Sequence, residues 1–305
     1  MTSELRAAAS GHLAGRGGLL MIVLAAVLWG TVGVSTRAIF TLADTTALTI
    51  AFLRLALAVP VLVLGAASFA VLGRRSVRAS PRQLLLMGVI GVLLAVYQLC
   101  FFGAIQRVGV AIATLVTLCI APVIVAILSP LLFGERLTRQ LVASAGLAII
   151  GTVLLVSPID LTTLGGAAGT GILLALGSAT GYALVAIVSR RVARHSHPLT
   201  TVTVGFAVGA LALLPALLVE GVALDFPPLG WLLLVYLAAV PSALAYVLFT
   251  VGMRTTVATV ASLVTLIEPL TAAGLAWLLF DERLGPLALV GAALLLGAVW
   301  LLTRE

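Results

Sequence analysis

A chain of 305 residues with 62% hydrophobic and only 9% charged side chains, and a mean hydropathy of +1.29, cannot be a water-soluble globular domain, in which charged residues make up about a quarter. The formal net charge is +7 and the basic residues are arginines. They sit mostly in short gaps between apolar runs, as topology-setting charge does, so the basic balance does not indicate nucleic acid.

At about 20 apolar residues per span, the pattern predicts an all-α membrane protein of ten transmembrane helices. The first five cover Gly18 to Ile39, Thr45 to Leu72, Arg82 to Gln106, Val108 to Phe133 and Thr138 to Val156. The second five cover Gly169 to Arg190, Leu199 to Glu220, Leu229 to Gly252, Thr256 to Phe280 and Pro286 to Leu302. Arg6 and Arg16 precede the first run as they would a secretory leader. Its length and the spans behind it make it an uncleaved first helix, with residues 1–17 as a cytoplasmic tail. Ser157 to Ala168, rich in Pro and Gly, reads as a connector.

The two sets of helices are one module written twice. Ile120/Ile267, Pro122/Pro269, Ala126/Ala273 and the LLF-x-ERL runs Leu131 to Leu137 and Leu278 to Leu284 align at one constant offset, as do Phe102/Phe249, Arg107/Arg254 and Ala111/Ala258. An odd number of helices per copy forces the copies into opposite orientations. Arginine placement agrees: with the N-terminus inside, Arg6, Arg16, Arg74, Arg75, Arg78, Arg82, Arg136, Arg139, Arg190, Arg191, Arg194, Arg254 and Arg304 fall inside, against Arg37, Arg107 and Arg283 outside. Both termini are then cytoplasmic. The expected organisation is a first repeat over 18–156, a connector over 157–168 and an inverted second repeat over 169–303, an architecture whose binding sites lie near the membrane midplane.

Two charges interrupt the spans. Glu268 stands in the middle of the ninth helix, directly before Pro269, where its repeat counterpart is Ala121; Arg54 stands in the second helix. At about 1.5 Å per residue both reach mid-depth. A carboxylate there costs several kcal/mol unless paired, hydrated or protonated. The readings open to it are a structural salt bridge to Arg54, a binding group for an amine or a proton, or a neutral buried acid. Pro122 and Pro269 each remove a backbone donor and would free a carbonyl near Leu118 and Thr265, either as cavity-lining hinges or as packing kinks.

Polar stripes at helical spacing mark one face of several helices: Ser262, Thr265 and Glu268; Thr114 and Thr117; Ser178, Tyr182 and Ser189; Ser242, Tyr246 and Thr250. Tyr97 and Gln98 add donors from the third helix, and Trp29 and Tyr182 occupy equivalent repeat positions from which they could face each other. Each such residue has an ordinary alternative, as a hydroxyl bonding its own backbone or an interfacial anchor. Glu135 and Glu282, each followed by arginine, read as local pairs or caps. The Gly177–Gly181 and Gly205–Gly209 spacings permit close helix packing, within a monomer or at a weak dimer face. Cys100 and Cys119 read as small core residues.

No GxxxxGK[ST] motif is present, and His12, His195 and His197 lie outside the spans, so neither ATP hydrolysis nor a metal-dependent membrane enzyme is expected, and no cofactor.

Trp29-Gly30, Phe52-Leu53-Arg54, the small-residue start of the fourth helix running to Pro122 and FGER, and Glu268-Pro269 followed by FDER together resemble the drug/metabolite transporter superfamily, specifically the ten-helix EamA-type permeases. That resemblance implies export of small metabolites, often amino acids or related compounds, without ATP. The expected function is a gradient- or proton-driven exporter of the bacterial inner membrane working by alternating access. Its partners would be a small solute, the lipid bilayer and, through Glu268, a proton. The solute site would draw on Glu268, Arg54, Trp29, Tyr97, Gln98, Thr117, Ser178, Tyr182, Ser242, Tyr246 and Thr265, with Pro122 and Pro269 as hinges. Broad-specificity drug efflux is the rival within transport; a lipid scramblase or membrane assembly factor is the rival outside it.

Overall fold

The computed structural model describes residues 2–71, 79–134, 138–156, 168–280 and 285–302. The helices are α1 (Thr2–Leu42), α2 (Ala47–Val71), α3 (Pro81–Phe133), α4 (Arg139–Val156), α5 (Ala168–Ala193), α6 (Pro198–Glu220) and α7 (Pro228–Leu237). A π-helical segment (Ala238–Leu244) follows, then α8 (Ala245–Gly252), α9 (Ala258–Val264), α10 (Ile267–Phe280) and α11 (Pro286–Leu302). No strand occurs among the described residues. This is what a bilayer demands, since backbone donors and acceptors there must be satisfied within each segment. Eight segments are long and apolar enough to span, and two shorter ones lie in α4 and α11. Residues 2–16, expected as a tail, continue α1 as helix. Glu135, Arg136, Glu282 and Arg283, with all of the connector except Ala168, lie outside the described residues.

Local sequence explains the helix ends. Ser80 caps α3 by accepting from Gln83 N, while Gln83 Oε1 accepts from Ser80 N at 2.8 Å, a capping box reinforced by Pro81 in the first turn. Gly134 closes the same helix with φ +66°, a left-handed conformation natural to glycine.

Helical backbone runs without a gap from Pro81 to Phe133, across the predicted boundary between the third and fourth spans. Its contacts nevertheless require the chain to double back. A Cβ on Gly181 would meet Tyr97, one on Gly177 would meet Cys100, and one on Gly171 would meet Arg107 and Val108, so α5 runs antiparallel to the first part of α3. Thr117 Oγ1 then donates to Ala175 O at 3.4 Å, four residues back along α5 from Gly171. A straight helix would have carried Thr117 about 13 Å further out than Val108. The contacts place the reversal between Val108 and Thr117, and Ala104 and Ala113 belong to one buried cluster with Ala175.

Contacts also establish the inversion. Arg107 and Arg254 hold the same place in the two copies, yet Arg107 lies at the start of α5, beside Gly171, and Arg254 bonds Ala193 O at its end. Equivalent points thus occupy opposite ends of one helix. Gly18 at the start of the first span is packed on Gly252 and Thr255, so α1 begins at the end where its counterpart α5 finishes. The fifth helices of the copies, α4 and α11, meet directly, with Gly151 against Gly291 O and Leu295.

The two larger buried apolar clusters among the described residues divide the bundle: one joins α1, the second part of α3, α4, α5 and α8 to α11; the other joins α2, the first part of α3, α5 and α6. Tyr246 packs against both, which locates the seam between them. The outer surface is leucine-rich, as a lipid-facing surface must be, with Leu64, Leu131, Leu173, Leu211 and Leu278 exposed.

Both GxxxG spacings work inside the chain. Gly177 and Gly181 admit α3, and Gly209 admits Gly91, whose own Cβ would stand 2.4 Å from Gly205 O. Gly88, one turn earlier on α3, has nothing within 4 Å of a Cβ. Gly91→Ala should therefore lower stability by about 1–3 kcal/mol, whereas Gly88→Ala should be neutral or stabilising by up to about 1 kcal/mol; melting of the two variants in detergent reads the difference.

Candidate functional site

Glu268 owes its position to a broken helix. Pro269 has no N–H to offer Thr265 O, so the ladder fails there. The chain tightens into i→i−3 bonds, Leu266 N to Leu263 O at 3.1 Å and Glu268 N to Thr265 O at 2.9 Å. The result is two half-helices, α9 and α10, with Glu268 in the first turn of α10. The expected free carbonyl at Thr265 is therefore occupied, and what the proline provides is a helix N-terminus. The dipole of α10 favours negative charge at the Glu268 side chain. Pro122, the repeat counterpart, lies inside α3 without interrupting it; the expected pair of matching hinges reduces to one break, at Pro269.

Gly30 brings α1 onto this break. A Cβ at Gly30 would stand 2.8 Å from Glu268 O and 2.5 Å from Thr271 Cβ, so the Trp29-Gly30 pair is a close-approach point with an aromatic beside it. Trp29 itself is 6% exposed, its ring 5.0 Å from that of Tyr246 and 5.3 Å from that of Phe249.

Arg54 approaches from α2. Its Nε donates to Ser242 Oγ at 3.3 Å, and Ser242 is fully buried within the π-helical segment. Pro241 interrupts the α-helical ladder there, and the wider turn is of the kind often found at functional sites. Arg54 and Glu268 lie in each other's field, yet among the described residues no ion pair joins them. Of the three readings open to Glu268, the structural salt bridge to Arg54 is not formed among the described residues.

Aromatic side chains gather in pairs in the same region. Tyr97 and Tyr182 meet edge-on at 5.8 Å, and Tyr246 meets Phe206 at 4.9 Å. Arg54 acts electrostatically on Tyr97 and Tyr246, and Glu268 on Tyr97, Tyr182 and Tyr246. Trp29 and Tyr182, predicted to face each other, instead take Tyr246 and Tyr97 as partners. Tyr182 Oη lies beside the Thr265 hydroxyl, which donates to Ser262 O at 2.8 Å. Trp29 Nε1 and Ser178 Oγ are buried without a hydrogen-bond partner among the described residues, and an unmade bond at such a group costs about 1–3 kcal/mol.

Other predicted residues sort by what their hydroxyls do. Thr117 bonds across to α5, while Ser262 and Thr250 bond their own helices, at Thr259 O and Tyr246 O. Gln98 is 6% exposed; one position from Tyr97, it projects about 100° round α3 from it. Ser189 lines a small cavity of about 20 Å³ with Phe206, Tyr246, Phe249 and Thr250, between the tyrosines and the Arg190 end of α5. Both cysteines are free. Among the described residues no group of three or more His, Cys, Asp or Glu side chains converges as a metal site.

The Arg190 end of the bundle carries a fastening that sequence reading took for loop charge. Arg254 Nε donates to Ala193 O at 3.0 Å and its Nη2 to Ser196 O at 2.8 Å. Arg190 Nη1 donates to Met253 O in return. Each arginine caps the carbonyl end of the other's helix, where a cation is favoured. Gln83 Nε2 ties α3 into the same end through His195 O at 2.7 Å. By contrast Arg107, the repeat counterpart of Arg254, bonds only Gly103 O on its own helix, at 2.8 Å.

An inverted-repeat helical bundle with a charged, aromatic site at its seam is a membrane transporter architecture. Residues 16–157 and again 169–304 match the EamA-like transporter family, and the chain belongs to it. It is 33% identical over 291 residues to an uncharacterized transporter of Archaeoglobus fulgidus, covering 95% of this chain and 97% of that one. It is 29% identical over 278 residues to the uncharacterized transporter YwfM of Bacillus subtilis, covering 91% and 90%. It is 27% identical over 227 residues to the pseudopaline exporter CntI of Pseudomonas aeruginosa, covering 74% and 76%. A solved structure shares the fold, with a TM-score of 0.79 at 22% identity over 93% of this chain and 97% of the other. As a member of that family the chain is a transporter.

Two predictions test the fastening. Arg254→Ala should cost about 1.5–3 kcal/mol, the range for hydrogen bonds to a charged group, whereas Arg107→Ala should stay within about 0.5 kcal/mol, both read from thermal melts. Burial, and then the Arg254 guanidinium, hold His197 below the ordinary histidine pKa. The folded state therefore prefers the neutral ring, and the unfolded chain takes up its proton first as pH falls. Stability at this end should be full above the unfolded histidine value and decline as pH drops through it towards the folded value; His197→Gln should flatten that slope.

Proposed function

We propose that the chain exports a small, amino-containing metabolite across the bacterial inner membrane, driven by the solute gradient or by protons. Two five-helix halves, 18–156 and 169–303, rock about the seam in alternating access. The carrying observation is Glu268, a half-buried carboxylate set by a helix break at the junction of the halves, with no ion pair among the described residues to consume its charge. Such a group is expensive to retain in a membrane interior unless it binds a cation or a proton. Trp29, Tyr97, Tyr182, Tyr246, Ser178 and Thr265 supply the polar and aromatic wall, and Pro269 marks the point about which α9 and α10 reorient. The 27% identity to a protein named as a pseudopaline exporter supports the export direction. The arginine distribution supports cytoplasmic termini, and the use of both glycine pairs in internal packing supports a monomer.

Polar groups gathered inside the bundle favour an enclosed solute over a lipid headgroup sliding along an open groove. In proteoliposomes of the purified protein, Glu268→Gln should cut flux by about tenfold or more, or remove its pH dependence, while leaving the gel-filtration profile unchanged. Wild-type flux with an unchanged pH response in the variant would defeat the assignment.

A further inference from the structure

We infer that the turn joining α5 to α6, residues 194–197, is the bolt of a gate at the end of the bundle that the arginine distribution assigns to the cytoplasm. Held by Gln83 and Arg254, it keeps that end closed; let go, it opens a passage to Tyr246 at the seam. This rests on the alternating-access reading above and locates one of its two gates.

The grip is concentrated. Arg254, from the link between α8 and α9, donates to Ala193 O at 3.0 Å and to Ser196 O at 2.8 Å. Gln83, in the first turn of α3, donates to His195 O at 2.7 Å. Three carbonyls within four residues are thus held by two elements other than the turn's own. Arg190 Nη1, donating to Met253 O, draws α5 to the link that carries Arg254. Gln83 belongs to the first copy and the turn to the second, so this bond must break if the halves part at this end. Gly18 of α1 makes a further contact between the copies, packed on Gly252 and Thr255, which flank Arg254 in the chain.

Behind the grip lies the cavity of about 20 Å³ lined by Ile90, Ser189, Thr201, Phe206, Tyr246 and Phe249, room for about one water. Its walls come from α3, α5, α6 and α8, the four helices whose ends Gln83, the turn and Arg254 fasten together. Tyr246, on one wall, packs against both large apolar clusters. Thr201 Oγ1, on another, donates to His197 O in the turn at 3.2 Å. The cavity therefore reaches from the seam to the turn. Three hydroxyls at this end do not help to hold it shut: Ser196 Oγ, Thr200 Oγ1 and Thr256 Oγ1 are buried and make no hydrogen bond among the described residues. Water entering an opened end would pair them, so the balance between closed and open falls to the Gln83 and Arg254 donors.

The test reads the gate without any solute. In the full-length chain with Cys100 and Cys119 replaced, Ser189→Cys places a thiol in the cavity wall. A membrane-impermeant thiol reagent is applied to one face of oriented vesicles at a time, and Arg194→Cys, at an exposed position in the turn, marks the gripped face. Gln83→Glu is the sharpest variant: its carboxylate still accepts from Ser80 N, which preserves the capping box of α3, but the donor to His195 O is gone. Labelling of Ser189→Cys from the gripped face should be slow without it and about 2- to 10-fold faster with it, the weight of one hydrogen bond present in only one of two states. Arg254→Gln should raise the rate by about tenfold or more, because it removes two bonds from a charged donor. Arg107→Ala, at the mirrored place, where the side chain bonds its own helix, should leave the rate unchanged.

Should Ser189→Cys not fold, Thr201→Cys on the α6 wall is the second reporter. An unchanged rate in Gln83→Glu, or an equal rise in Arg107→Ala, would overturn the inference. Labelling needs no transported solute, so its outcome is independent of the Glu268→Gln flux test: an overturned gate leaves the transport reading intact, and a failed flux test leaves the labelling result standing.

Discussion

The structure turns on keeping one carboxylate and one guanidinium near each other, inside a membrane bundle, without letting them meet. Two such charges in a medium of low dielectric attract strongly, and removing either from water is costly. The fold offsets that cost in two separate ways: a helix N-terminus supports Glu268, and a buried hydroxyl holds Arg54 by one edge. Both supports depend on an interrupted helix, at Pro269 and at Pro241. Membrane proteins tolerate irregular backbone where it is buried in protein or lines a cavity, and in the second half both interruptions serve the site.

The duplicated architecture explains why this arrangement is one-sided. Two inverted copies build a seam in which equivalent elements face from opposite directions, yet the chemistry is divided between them. Arg54 and Tyr97 come from the first copy; Glu268, Ser242, Tyr182 and Tyr246 come from the second. The same division appears in the fastenings. Arg254 reaches across two turns to Ala193 and Ser196, while Arg107 at the mirrored place stays on its own helix. One end of the bundle is thus cross-linked by hydrogen bonds, with the Trp29, Tyr246, Phe206 and Phe249 rings packed together inside it, and side chains break the symmetry of the backbone there.

Much of this was legible in the residues. Glu268 stood out because a lone carboxylate in an apolar run has few explanations, and the constant repeat offset combined with five helices per copy forced the inversion. The hydroxyl stripes did not disclose the bonding: Thr250, Ser262 and Thr265 turned to their own backbones, a choice set by rotamer and local geometry that periodicity does not encode. Ser242 gave no sign that it would hold Arg54, because the π turn that presents it is announced only by Pro241, and proline is common in membrane helices. Gly30 was visible as half of a motif, but its purpose, clearing room for Glu268 O and Thr271, depends on a neighbour far along the chain. Arg190 and Arg254 were read by the rule that assigns loop arginines to topology, which is blind to the carbonyls they cap.

The central claim is that the polar seam is a chamber opened in turn to each side of the membrane. Ser178 is fully buried there and makes no hydrogen bond with its Oγ, so a thiol can be placed on it with little disturbance. In a background with Cys100 and Cys119 replaced, Ser178→Cys would be treated with a membrane-impermeant thiol reagent applied separately to each face of oriented vesicles. Labelling from both faces, slowed by transported solute, is the predicted result; labelling from one face only, or solely by a lipid-soluble reagent, would contradict the account.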